Sequence, residues 1–146
     1  MVSSAPQIRY PDCYGIDMAK LEGLIAFRAM LSLLKDQGLE GEIEKVYKEA
    51  KTELLKKDED MTNVVQQLYD HFTQKQISSK ISEMLSAEVE HSNVEIIFNT
   101  IENLHLSCPK NLGDWYFSGN YPTFGGNRVV NRSFVNFYEG KNHRAY

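Results

Sequence analysis

Catalysis needs a nucleophile beside a base, a pair of carboxylates, or metal ligands at workable spacing. This chain of 146 residues offers few such sets. His71, His91, His105 and His143 are scattered, with no HxxxH or HExxH arrangement, so each reads as a surface or packing histidine rather than a zinc ligand. Cys13 and Cys108 lie far apart and outside any CxxC, which gives little support to a disulfide framework or a zinc site. The run Asp58-Glu59-Asp60 could hold a metal or a ribose at a strand end before a small-residue phosphate loop. Between two helical patterns in lysine-rich context it reads instead as a solvated linker. Gly125-Gly126-Asn127-Arg128 could cradle an anion, since glycine amides and an arginine both suit phosphate, but a plain turn accounts for the same residues.

The stretch SSAPQIRYPDCYGID, residues 3–17, is denser in special residues. Arg9 sits between Ile8 and Tyr10 and is costly to bury unpaired, so it must point outward or meet a carboxylate or phosphate. Pro6 and Pro11 stiffen the path, the Tyr10-Pro11 bond is a candidate for the cis form, and Gly15 permits backbone angles closed to larger residues. These features suit a loop lining a site. They suit a rigid crossing between packed elements equally well.

The elements that must position these residues are mostly helices. A first helix is expected over 17–38, capped by Asp17, with Leu21, Leu24, Ile25, Leu31 and Leu34 at helical spacing and Gly38 as its stop. Phe27 and Met30 widen its apolar surface, so it should be covered on two sides. A second helix should occupy 39–57, with Ile43, Val46, Tyr47, Ala50 and Leu54 on one face. The pairs Glu44/Lys48 and Glu53/Lys57 fall on its other face, each worth about 0.3 kcal/mol. A third follows with Met61, Val64, Val65, Leu68 and Phe72 inward. Capping boxes at Thr73–Gln76 and Ser92–Glu95 announce two more, the first before Ile77, Ile81, Met84 and Leu85, the second before Ile97, Ile101 and Leu104. After Pro109 the chain turns rich in Gly, Asn and aromatics, and Val129, Val130, Phe134, Val135 and Tyr138 suggest a last short helix. The expected fold is therefore mainly α: one domain of five to six packed helices, a short N-terminal strand, and an irregular closing segment over 109–146.

Composition bounds the rest. The chain is 42% hydrophobic and 25% charged, enough to bury a core without staples. A net charge of −4 argues against a dedicated nucleic-acid or anionic-membrane surface, and no run is long and apolar enough for a signal peptide or a membrane span. A cytoplasmic location is the expectation.

Two stretches carry a resemblance. VSSAPQIRYPDCYGID, residues 2–17, resembles the segment of glutamine phosphoribosylpyrophosphate amidotransferases that follows their phosphoribosyl-pyrophosphate loop. There a last sheet strand closes on a Ser- and Pro-rich turn, followed by Arg-x-Pro, Tyr-Gly-Ile-Asp and a helix with Leu-Ile-Ala, here Leu24-Ile25-Ala26. YFSGNYPT, residues 116–123, is similar to the close of the branch of that family that carries an iron–sulfur cluster. The matches stand in the family's order, whereas the region between Lys35 and Pro109 is longer than the family norm and matches nothing in it.

The resemblance implies that this chain is the C-terminal part of a longer amidophosphoribosyltransferase-like enzyme. Such an enzyme releases ammonia from glutamine and uses it, with magnesium, to displace pyrophosphate from phosphoribosyl pyrophosphate, giving 5-phosphoribosylamine for purine biosynthesis. The glutaminase nucleophile and the paired-aspartate phosphate loop belong upstream, so the chain is expected to be inactive alone. Its partners are the remaining glutaminase and phosphoribosyltransferase domains, with homo-oligomers expected and self-association possible through the strand edge. Arg9, Tyr14, Gly15 and Asp17 would border the transferase site. A 4Fe-4S cluster is not expected. Cluster-bearing members place a cysteine after the proline of Arg-x-Pro and a CxxC before the closing motif, and here Asp12, Gly113 and Tyr116 take those places. Cys13 falls one residue late, and Trp115, Tyr116 and Phe117 could fill the space by aromatic packing. Two other readings stay open: a free-standing helical module that binds a protein partner, and a parent enzyme of altered substrate.

Overall fold

The computed structural model describes residues 1–13, 20–89, 92–110 and 113–145. It is mainly helical. In chain order come β1 (Val2–Ser3), a 3-10 turn (Leu21–Gly23), α1 (Ile25–Asp36), α2 (Glu40–Glu53), a second 3-10 turn (Asp58–Asp60), α3 (Gln66–Tyr69), α4 (Gln74–Glu88), β2 (Ile97–Phe98), α5 (Ile101–Ser107), α6 (Trp115–Ser118) and α7 (Phe124–Tyr138).

Helix α1 is central, as its wide apolar surface requires. Ala26, Phe27, Ala29, Met30 and Leu34 are buried, α4 packs on one side, and the ring of Phe27 meets Phe134 and Phe137 of α7 edge-on, at 6.2 and 5.0 Å, on the other. Gly38 stops it as expected. At φ +68° it lets its own N–H reach the Lys35 carbonyl and that of Leu39 reach Leu34, which closes the last turn. The start differs from expectation. Asp17 lies outside the described residues, and Leu21, fully buried, belongs to the 3-10 turn before α1.

Helix α2 ends at Glu53, four residues short of the expected limit. Glu44 and Lys48 pair at 2.7 Å, but Glu53 turns inward to Lys56 and to the N–H of Thr62 instead of meeting Lys57. Asp58–Asp60 is exposed, as a solvated linker should be. The third predicted helix shrinks to one turn, α3, although Met61, Val64, Val65, Leu68 and Phe72 are all buried as expected. The capping box at Thr73 is present: Thr73 Oγ1 accepts from Gln76 N at 3.2 Å, and Gln76 Oε1 accepts from Thr73 N at 2.8 Å.

The Ser92 box does not start a helix. Ser86 Oγ accepts from Val94 N at 2.8 Å and Ser82 Oγ from Ile96 N at 3.0 Å, while Gln74 Nε2 donates to Asn99 O at 2.9 Å. Spaced eight and four residues apart on α4, these side chains line one helix face and hold residues 94–99 extended along it. Within that segment β2 pairs in parallel with β1, Val2 opposite Ile97 and Ser3 opposite Phe98. Helix α5 begins after Thr100, whose Oγ1 accepts from Asn103 N at 3.1 Å.

The last helix is not short. Helix α7 runs fifteen residues from Phe124, so Gly125 and Gly126 form its first turn rather than a loop. Gly126 is required there, because a Cβ would lie 2.4 Å from the ring of Tyr121. Among the described residues no peptide bond is cis, so Tyr10-Pro11, a candidate for the cis form, is trans. No described helix is long and apolar enough to cross a membrane.

Candidate functional site

The two stretches that hold the most special residues meet in space. The N–H groups of Arg9 and Tyr10 both donate to the carbonyl of Tyr116, at 2.8 and 3.1 Å. Three phenols then fix the segment that follows. Tyr69 donates to the Arg9 carbonyl at 2.9 Å, Tyr121 to the Pro11 carbonyl at 2.7 Å, and Tyr116 to Oδ1 of Asp12 at 2.8 Å. Burial pushes the hydroxyls of Tyr10, Tyr69 and Tyr121 well above the ordinary tyrosine range, so all three stay protonated, and those of Tyr69 and Tyr121 serve as donors at any working pH.

The opposing wall is shaped to match. Helix α6 ends in Gly119 at φ +77°, where a Cβ would lie 2.7 Å from Asn63 Nδ2 and 2.8 Å from the ring of Tyr10. Only glycine combines that backbone angle with that approach. Asn63 Nδ2 donates to the Gly119 carbonyl at 3.0 Å, and Gln66 Nε2 to that of Ser118 at 2.8 Å, so α3 and the residues before it hold α6 in place. Tyr10 packs on Tyr69 with ring centroids 5.2 Å apart.

Among the described residues Arg9 pairs with no carboxylate. Its Nε and Nη2 donate to Gln7 Oε1 at 3.1 and 2.8 Å, and its guanidinium lies over the Tyr69 ring at 5.2 Å. The other residues expected at the site border, Tyr14, Gly15 and Asp17, lie outside the described residues. What the structure places is the hydrogen-bonded segment 9–12, which ends two residues before Tyr14.

Asp12 is fully buried, and with Tyr116 it occupies two of the positions where cluster-bearing members of the resembled family have cysteines. A carboxylate and a phenol hydrogen-bonded to each other offer no thiolate pair, so these residues do not fit a 4Fe-4S cluster. Trp115 stacks on Tyr116, with centroids 5.5 Å apart and planes at 29°, and Tyr116 tilts against Phe117 at 6.5 Å. Cys13 is half-buried and Cys108 exposed. Among the described residues no group of three or more His, Cys, Asp or Glu could hold a metal ion.

The remaining candidates go to structural contacts. Arg128 pairs with Asp58 and donates to the Lys56 carbonyl at 3.2 Å, tying α7 to the end of α2 rather than waiting for an anion. His105 Nε2 lies 3.0 Å from Asp114 Oδ2, His71 lies 3.8 Å from Glu42, the carbonyl of His143 accepts from Asn136 Nδ2 at 3.4 Å, and His91 is outside the described residues. The sequence reading passed over Gln7, Asn63 and Tyr69. Gln7 is a polar residue between Pro6 and Ile8, and Asn63 stands directly before the apolar pair Val64-Val65; that placement is the available signal.

A scan against models of known protein families, a search of curated proteins and a search of solved structures each return no match.

Proposed function

We propose that this chain is the C-terminal, mainly helical part of an amidophosphoribosyltransferase-like enzyme, inactive alone, which completes or covers the phosphoribosyltransferase domain. One observation carries the reading: the two stretches that resemble that family lie about a hundred residues apart in sequence, yet form one packed unit through Arg9, Tyr10 and Tyr116. Chance matches have no reason to share a carbonyl.

In this reading the chain's own residues position rather than react. Tyr69, Tyr121 and Tyr116 clamp residues 9–12, so the chain enters the stretch containing Tyr14, Gly15 and Asp17 along a fixed path at the border of the transferase site. Magnesium would supply charge neutralisation for the pyrophosphate leaving group, and the residues to hold it would belong to the upstream domain. The Asp12–Tyr116 bond supports a member without an iron–sulfur cluster. The remainder of the parent chain is the first partner, in a cytoplasmic homo-oligomer.

The test is an assay of the native gene product for pyrophosphate release from phosphoribosyl pyrophosphate with glutamine and magnesium. Release by the native product and none by the 146-residue chain alone is the expected result. No release by the native product overturns the proposed reaction.

A further inference from the structure

Among the described residues, the hydrogen-bond and ring partners of the Arg9 cation are all neutral. Oε1 of Gln7 takes one N–H from Nε and one from Nη2, and the Tyr69 ring covers one face. A guanidinium has five N–H groups in a rigid fork, and Nη1 and the second N–H of Nη2 have no partner among the described residues.

The fork cannot swing easily. Gln7 is 2% exposed, and its amide nitrogen donates to the Gln74 carbonyl at 2.9 Å and to Ser78 Oγ at 2.7 Å. Flipping the amide would set its oxygen against a carbonyl, so Oε1 stays aimed at Arg9. Tyr69, also 2% exposed, is held by its own bond to the Arg9 carbonyl.

Arg9 lines a cavity of about 220 Å³ together with Gln7, Pro6, Ile101, Glu102 and Phe117. That is room for a few non-hydrogen atoms beside the guanidinium. Glu102 is exposed at this cavity and makes no ion pair with Arg9 among the described residues. It is the carboxylate among the residues lining this cavity, and its charge opposes any anion that enters.

We propose that this cavity binds a small oxyanion, a carboxylate or a phosphate, on the outer edge of the Arg9 guanidinium. The pairing is bidentate, two parallel N–H to oxygen bonds, which a planar fork held on one side by Gln7 is already oriented to make. The site rests on Arg9, Gln7 and Tyr69 alone and stands whether or not the family reading holds.

The experiment is an NMR titration of the ¹⁵N-labelled chain with sodium phosphate and separately with sodium acetate, each against sodium chloride at matched ionic strength. Saturable shifts at Gln7, Arg9, Ile101 and Glu102, absent with chloride, are expected for at least one oxyanion, and the tighter of the two names the ligand class. Arg9→Gln should weaken that binding at least tenfold, Arg9→Lys should weaken it several-fold while keeping the charge, and Glu102→Gln should tighten it several-fold. Shifts no different from those with chloride, or wild-type affinity in Arg9→Gln, overturn the proposal. Should Arg9→Gln fail to fold, as its dispersion would show, Glu102→Gln decides alone: unchanged affinity overturns the site.

Discussion

The phenol of Tyr116 donates to the buried carboxylate of Asp12 at 2.8 Å, two residues beyond the point where the Tyr10 N–H reaches the Tyr116 carbonyl. Side chain and backbone of one residue thus hold three positions of the N-terminal segment, Arg9, Tyr10 and Asp12, on both sides of Pro11. Removing the hydroxyl leaves a fully buried carboxylate short of a donor. Tyr116→Phe should cost about 1–3 kcal/mol, seen as a fall in Tm of roughly 3–10 °C for a chain of this size. An unchanged Tm would show that the bond contributes nothing.

Gly119 tests the fit of the two stretches from the other side. Ala at this position meets both an unfavourable φ of +77° and a Cβ contact of 2.7 Å with Asn63. Gly119→Ala should destabilise by about 3 kcal/mol from strain and overpacking combined. Gly41→Ala in α2, where a Cβ meets nothing within 4 Å, should leave stability unchanged or raise it slightly. Chemical denaturation of both variants reads the contrast.

Asn131 is fully buried. Its Oδ1 accepts from Val64 N at 3.3 Å and its Nδ2 donates to the Thr62 carbonyl at 2.7 Å, so one side chain on α7 satisfies two backbone groups of the 61–65 segment. Asn131→Ala orphans both and should cost about 3 kcal/mol. Hydrogen exchange should quicken first at Val64 N. Protection equal to wild type there would contradict the role.

Glu53 sets an acid limit. Burial opposes its charge, but hydrogen bonds from Lys56 and the N–H of Thr62 outweigh that and hold its carboxyl below the ordinary value of 4.5. A folded-state value below the unfolded one gives stability that is fully present above about pH 4.5 and is lost as pH falls through the folded value. Glu53→Gln should be about 2 kcal/mol less stable at pH 7, with the gap to wild type closing in acid. A gap that stays constant down to pH 3 would contradict this account.

Much of the fold was legible because its signals are local. The Thr73–Gln76 box, the glycine stop at 38 and the spacing of buried residues in α1 and α2 depend on neighbours within one helical turn. The misreadings come from distant partners. Ser82 and Ser86 capture the backbone of 94–96 and keep it extended, a competition that Ser92–Glu95 does not reveal. Gly125-Gly126 looks like a turn until Tyr121 arrives to need the space. At the site, the sequence marked Arg9 as costly to bury, but not that Gln7 and Tyr69 would answer it.

The central claim is that this chain acts as the tail of a larger amidophosphoribosyltransferase-like enzyme, and the size of the native gene product tests it most directly. An antibody raised against the chain should detect, in a lysate of the source cells, a band several times larger than 16.8 kDa. A sole band at 16.8 kDa would contradict the claim.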